Sequence, residues 1–450
     1  MNLRGKKILK ESSASCLALS LTPSRAAGFT PNQRKKLSKK LKDESPYVSN
    51  WLNFMDGKYN VSTRFFKYGE TFLHLYTRSG SRFRRLHFNV TLSNSFLDKL
   101  SKEDDFEKFV EITALDKNLK KVQKSLLKFD STHTQSTLAR FYIALIKIMA
   151  NKSKKALADL DYVAANDFFQ LERDKAIFWK YLITNEPSLL QTLYRSTDLN
   201  IYTLYAAEKL GKEPLGIYRP NFKQTNPLAV RENDPFVWTQ ILVQSQDATP
   251  QEACEILPNF ESKNNLSIYS FFLERCSNYA LHPYIMPYAK ETKKMKVSKK
   301  AFLYALARQE SRLIAGGLSH VYAQGMMQIM PFVSKAIAKQ KRQKIQPQTM
   351  FDVSKNISYA KHHLKHLYRK LKHPLLIAYG YNQGIGSLRR NILKKGYFKN
   401  RFKYDPFLSM ELHPFAETRN YGKKVLANYV VYSKLLGESI SIRSLFESLK

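Results

Sequence analysis

Glu310 stands near the end of residues 298–312, SKKAFLYALARQESR. Phe302, Leu306 and Glu310 recur at helical spacing, and Leu303 and Ala307 flank the same stripe. The pattern predicts a helix whose apolar face runs into a carboxyl, with Ser298 as its N-cap. Burial disfavours the ionised form of a carboxyl and raises its pKa. A carboxyl that keeps its proton near neutrality is what a general acid needs. The helix alone leaves two other placements open: Glu310 turned to solvent, or paired with Arg308 or Arg312.

The residues that follow narrow the choice. Gly316-Gly317 ends the helix, and residues 319–331 read SHVYAQGMMQIMP. Joined to ARQES, this run resembles the soluble lytic transglycosylase family, whose pattern is ARQES followed by S-P-x-G-A-x-G-L-M-Q-I-M-P. Residues 378–384 (AYGYNQG) resemble that family's A-Y-N-A-G. Residues 411–432 (ELHPFAETRNYGKKVLANYVVY) resemble its I-P-F-x-E-T-R-x-Y-V-x-x-V block. The blocks keep the family's order.

The resemblance implies a lysozyme-like, mainly helical catalytic domain acting on peptidoglycan, at the β-1,4 bond between N-acetylmuramic acid and N-acetylglucosamine. In that chemistry Glu310 protonates the glycosidic oxygen. It then serves as base toward the muramoyl C6 hydroxyl, which closes a 1,6-anhydro ring. Ordinary glycosidases use a second carboxylate; here an intramolecular hydroxyl replaces it by proximity. No cofactor or metal is implied. Carried over by position, Ser311 steadies the loop after the acid. Ser319, Gly325, Gln328 and Met330 line sugar subsites, with Tyr381 and Asn382 from the Y-N block. Glu417 and Tyr421 come from the last block, where Tyr421 is placed to bond Glu310 and Glu417 to orient a sugar amide. Met326, Met327 and Met330 also suit simple core packing. The chain departs from the pattern at His320-Val321-Tyr322, at Met326 and at Gln383, and Tyr322 puts a ring where the family keeps glycine.

Two other functions compete. A hydrolytic lysozyme-like muramidase needs a second acid, for which Asp405, Glu411 and Glu417 are available. A non-catalytic basic helical-repeat binding protein would need none of these motifs.

The elements that must carry the site are helices. The chain has 450 residues, 43% of them hydrophobic and 13% aromatic, with only 16 Gly and 17 Pro. That composition excludes a disordered chain and disfavours a turn-rich β fold. Residues 136–150, 154–165, 171–183 and 201–210 repeat apolar positions at helical spacing, and Gly211 suits a C-terminal cap. Short helices joined by short polar loops predict an all-α chain with an N-terminal superhelical, solenoid-like domain. Pro214, Gly216, Pro220 and Pro227 mark a loop-rich break. The expected division is a candidate export signal over residues 1–26, a superhelix over 27–211, a linker with a small helical domain over 212–289, and the lysozyme-like domain over 290–450. Since the motif blocks follow Lys300, a fragment from Lys290 to Lys450 is expected to carry the chemistry.

The net charge is +37, so an anionic partner is expected. The basic runs 34–42, 290–300 and 339–344 read as solvated faces. The basic residues are spread along the chain, unlike a nucleic-acid stripe, so no nucleic-acid partner is expected. The expected partners are peptidoglycan strands and the anionic envelope surface. Arg4, Lys6, Lys7 and Lys10 precede a short apolar stretch over residues 16–21 and a small-x-small site at Ser24-Arg25-Ala26, and this suggests a periplasmic location. Cys254 and Cys276 either pair, if exported, or stay as buried thiols. His362, His363 and His366 look like metal ligands, yet they sit among Lys361, Lys365, Arg369 and Lys370, and a basic surface helix is the better reading.

Overall fold

Short helices with polar caps make almost all of the regular structure. The computed structural model describes residues 5–11, 13–55, 69–222 and 230–449; Arg4 and Pro227 lie outside the described residues. The chain divides into two units, Met1–Phe168 and Phe169–Lys450.

In the first unit the helices pack on partners close in sequence, such as Pro31–Leu41 on Pro46–Met55 and Phe106–Leu115 on Thr137–Met149. The helix Thr137–Met149, capped by the Ser136 hydroxyl, is buried on most sides between Phe106–Leu115 and Leu157–Asn166, as its largely apolar composition requires. Polar groups inside this stack are paired. Lys147 meets the buried Asp159 at 2.6 Å, and Tyr142 donates to the buried Glu111 at 3.1 Å. The described part of the candidate export segment is built into this unit. Leu17, Leu21 and Ala26 are buried, Thr22 caps the turn Pro23–Ala26, and the Ser24 hydroxyl donates to the Arg78 carbonyl at 2.7 Å. Among the described residues, no helix is long and apolar enough to cross a membrane.

The second unit is organised by two helices lying side by side, Val297–Ser311 and Ala416–Leu435. Lys296, not Ser298, holds the N-cap position of the first, with no side-chain capping bond. A third helix, Pro374–Gln383, packs on the second. Their approach is very close at Gly422, where an added Cβ would lie 2.1 Å from the Tyr379 ring. Phe302, Leu306, Met327, Tyr379, Val425 and Tyr432 form the shared core.

The helices Gln170–Thr184, Pro187–Tyr194 and Ile201–Lys209 supply Phe178, Leu193 and Tyr202 to that same core. Tyr202 donates at 3.0 Å to Glu411, which is held at 2.6 Å by the buried Lys423. The division between units therefore falls at Phe168, not at residue 211. Gly211 does end its helix, at φ 64°, but the apolar faces before it are covered by the C-terminal helices. Residues 235–276 form a smaller core around Trp238, Ile268, Phe271 and Phe272, closed by Ile314. A disulfide joins Cys254 to Cys276. The extended pieces Ile217–Tyr218 and His282–Pro283 pair in parallel.

Candidate active site

The helix Val297–Ser311 buries Phe302, Leu303, Leu306 and Ala307, so Glu310, one turn after Leu306, starts inside the fold. Burial pushes its carboxyl up to about 8; the bond from Tyr421 opposes this and the charge of Glu417 adds to it. Tyr421 comes from Ala416–Leu435, and its hydroxyl donates to Glu310 Oε1 at 2.6 Å. Burial, and then the neighbouring Glu310, hold the Tyr421 hydroxyl well above its usual range. It therefore stays a donor over any physiological pH.

The arginines beside the acid do not pair with it. Arg308 and Arg312 both reach the buried Glu274, at 2.8 and 2.6 Å. Burial alone would raise the Glu274 carboxyl, but the two guanidinium groups outweigh it and lower it to about 2. Glu274 ends up ionised in a dry setting and Glu310 protonated at its edge, a division of roles set by partners alone.

The loop after the acid is fastened to the acid's helix. The Ser311 hydroxyl donates to the Met326 carbonyl at 2.8 Å. Gln328 Nε2 donates to the carbonyls of Gly317 and Gly325, at 3.1 and 3.0 Å. Ser319 closes a smaller turn by accepting from the Ala323 N–H at 2.9 Å. Gly325 stands at φ 72°, and an added Cβ would meet Met350 O at 2.2 Å and Asn356 Nδ2 at 2.4 Å, so only glycine fits. Met326 and Met327 are core residues, while Met330 is half-buried at the start of Pro331–Lys341. Tyr322 takes φ 66° and is 69% exposed. The family pattern has glycine at this position, where a left-handed backbone carries no steric penalty.

Tyr381 donates to the Met327 carbonyl at 2.8 Å. Asn382 Nδ2 donates to Glu417 Oε1 at 2.9 Å, and Asn382 Oδ1 accepts from Thr418 at 2.5 Å. Asn382 and Glu417 are thus bonded to each other, Tyr421 to Glu310, and Tyr381 to the loop that follows Glu310. The other two carboxylates considered above are otherwise engaged. Asp405 accepts from the N–H groups of Arg401, Phe402 and Ser409, and Glu411 is buried with Lys423. His362 meets Gln340 at 2.8 Å and His363 packs edge-on to Tyr381. Among the described residues, no set of three or more potential ligands is placed to hold a metal.

Sequence reasoning missed two residues of this assembly. Glu274 comes from the helix Leu266–Cys276, which carries no motif. Asn356, buried in the first turn of Val353–Lys370, accepts from the Met327 N–H at 2.9 Å. Its Nδ2 donates to the carbonyls of Gln324 and Met350, at 3.0 and 2.9 Å. A single buried Asn in a basic helix left no pattern to find.

A mainly helical unit thus brings together a carboxylic acid raised by burial, a tyrosine donor and a loop that depends on glycine. Residues 287–403 match the transglycosylase SLT domain family. That segment holds Glu310, Gln328 and Tyr381, and the match is to this domain, not to the whole chain. It is 30% identical over 150 residues to the soluble lytic murein transglycosylases of Escherichia coli K12 and of Escherichia coli O157:H7. The match takes in 33% of this chain and 22% of either relative's length. Among solved structures, an inactive mutant of lytic transglycosylase Slt from Pseudomonas aeruginosa superimposes with a TM-score of 0.61 at 16% identity. That superposition covers 97% of this chain and 78% of the other, and places the two in one all-helical fold.

Proposed function

We propose that the chain is a peptidoglycan lytic transglycosylase that cleaves between N-acetylmuramic acid and N-acetylglucosamine and leaves a 1,6-anhydromuramoyl end. The observation that carries this reading is the 2.6 Å bond from Tyr421 to a Glu310 carboxyl raised to about 8. Glu310 gives its proton to the glycosidic oxygen as the anomeric C–O bond breaks. The carboxylate so formed keeps the Tyr421 bond and then takes the proton of the muramoyl C6 hydroxyl, whose oxygen attacks the anomeric carbon. Ser311, Gly325 and Gln328 hold the loop at the groove floor. Ser319 and Met330 border it, and Tyr381, Asn382 and Glu417 supply the opposite wall. The reaction calls for no cofactor or metal.

The substrate class agrees with the charge of +37, since peptide stems carry carboxylates, and with a disulfide that suits an oxidising envelope compartment. On this reading the protein works in the periplasm, its partners are glycan strands and the anionic envelope surface, and its N-terminal helical unit aids wall binding. Glu417, which accepts from Asn382 and whose charge reaches Glu310, is the group a hydrolytic muramidase would use. The product separates the two chemistries: an anhydro end is lighter by one water than a reducing end. The test is mass analysis of muropeptides released from purified sacculi by the protein and by Glu310→Gln. Anhydro products are expected, with at least ~100-fold loss in the variant. Reducing ends, or a variant retaining more than about a tenth of the rate, would overturn the proposal.

A further inference from the structure

Arg308 and Arg312 bracket Glu310 two residues before and two after it. An opposite charge within ~4–6 Å typically lowers a carboxyl pKa by about 1–3 units. A Glu310 paired with either arginine would be ionised at neutral pH and would have no proton to give. Both side chains are drawn elsewhere. Arg308 Nη2 donates to Glu274 Oε1 at 2.8 Å, and Arg312 Nε donates to Glu274 Oε2 at 2.6 Å. Arg308 also lies over the Tyr284 ring, 4.6 Å from its centroid. Arg312 is the freer of the two, with 44% of its side chain exposed.

We propose that Glu274 is a positioning residue for the reaction: one buried carboxylate takes both flanking arginines, one oxygen each, and so keeps the Glu310 carboxyl free of a cationic partner. The proposal rests on the reading of Glu310 as the acid. It gives a use to a residue outside the matched SLT segment, on a helix whose last residue, Cys276, is in the disulfide. The groups that face the Glu310 carboxyl are consistent with it. Tyr421 and Glu417 come from Ala416–Leu435, and Tyr381 from Pro374–Gln383. His363, packed on Tyr381, is held below its usual range by burial and then by His366 and His362. None of these is a cation at neutral pH.

The test is the pH dependence of muropeptide release from sacculi by the full-length protein and its Glu274→Gln variant, each checked for native helicity. With Glu274 neutral, Arg312 is free to turn to Glu310. The acid then loses its proton earlier as pH rises, and the alkaline limb moves to lower pH by about one unit or more. For one unit, the rate at about pH 7.5 falls roughly threefold, while that at about pH 5.5 stays near wild type. Arg312→Gln added to Glu274→Gln removes the released cation and is expected to return the limb toward wild type. Glu274→Asp keeps the charge but is one methylene too short to span both arginines, and a smaller shift of the same sign is expected. This variant keeps the test open if Glu274→Gln fails to fold. An unmoved limb, an equal loss at every pH, or no recovery in the double variant would overturn the proposal. A wild-type protein that releases no muropeptides would instead overturn the functional reading.

Discussion

Tyr421→Phe removes one hydroxyl and leaves the ring that fills the space beside Glu310. The lost bond, 2.6 Å from hydroxyl to Glu310 Oε1, is charge-assisted once the acid has given up its proton. Hydrogen bonds to charged groups contribute about 1.5–3 kcal/mol. At about 1.4 kcal/mol per pKa unit, the Glu310 carboxyl should rise by roughly one to two units above its present value of about 8. The proton becomes harder to give, and the carboxylate formed in the step is less stabilised. The rate of muropeptide release should fall by about 10–100-fold. The alkaline limb should move up, opposite in sign to the shift expected for Glu274→Gln. The assay is initial rate against pH on purified sacculi, with substrate binding measured separately on the same material. A variant with the wild-type rate and an unmoved limb would refute the role given to Tyr421. So would a loss confined to binding.

Three further outcomes are expected. Gly325→Ala forces a Cβ into the Met350 carbonyl and Asn356 and should lower the melting temperature as well as the activity, read by calorimetry and muropeptide release, because the backbone at φ 72° is strained for alanine. A fragment spanning residues 290–450 should fail to fold, contrary to the expectation from motif positions, since it lacks Glu274, Tyr284, Phe178 and Tyr202; a fragment from Phe169 should fold and cleave soluble glycan strands. The Glu310 proton is bound more tightly in the folded chain, at about 8 against an ordinary 4.5, so its contribution to stability is fully present below about 4.5 and is lost as pH rises through about 8; Glu310→Gln should therefore melt higher than wild type at about pH 9 and gain little at about pH 4.5.

The burial of Glu310 was legible because its helix announces itself. The stripe Phe302–Leu306–Glu310 says which face is buried, and the blocks around Gln328, Tyr381 and Tyr421 stand in fixed order. Glu274 was not legible, because an ion pair across 34 residues leaves no local period and Arg308 and Arg312 read equally well as partners of Glu310. The division of the chain was missed for a related reason. The apolar spacing of residues 171–183 and 201–210 locates helices and their inner faces, but it does not name the surface that covers them. Here that surface includes Phe407 and Phe446, far along the chain. Ser298 shows a smaller limit: a good capping residue lies one position inside the helix it was expected to begin.

The contact at Gly422 bears on how such a groove can change over time. A single methyl there would have to share space with the Tyr379 ring and with Leu375, so the gap between the helix bearing Tyr421 and the helix bearing Tyr381 is gauged by an atom that is missing. Substitutions at the exposed surface, such as the ring of Tyr322, alter what a ligand meets. They leave that gauge untouched. On the proposed reading, exposed residues around the site can therefore change while the spacing of the helices that carry Tyr421 and Tyr381 stays constant, and the two properties can be varied separately.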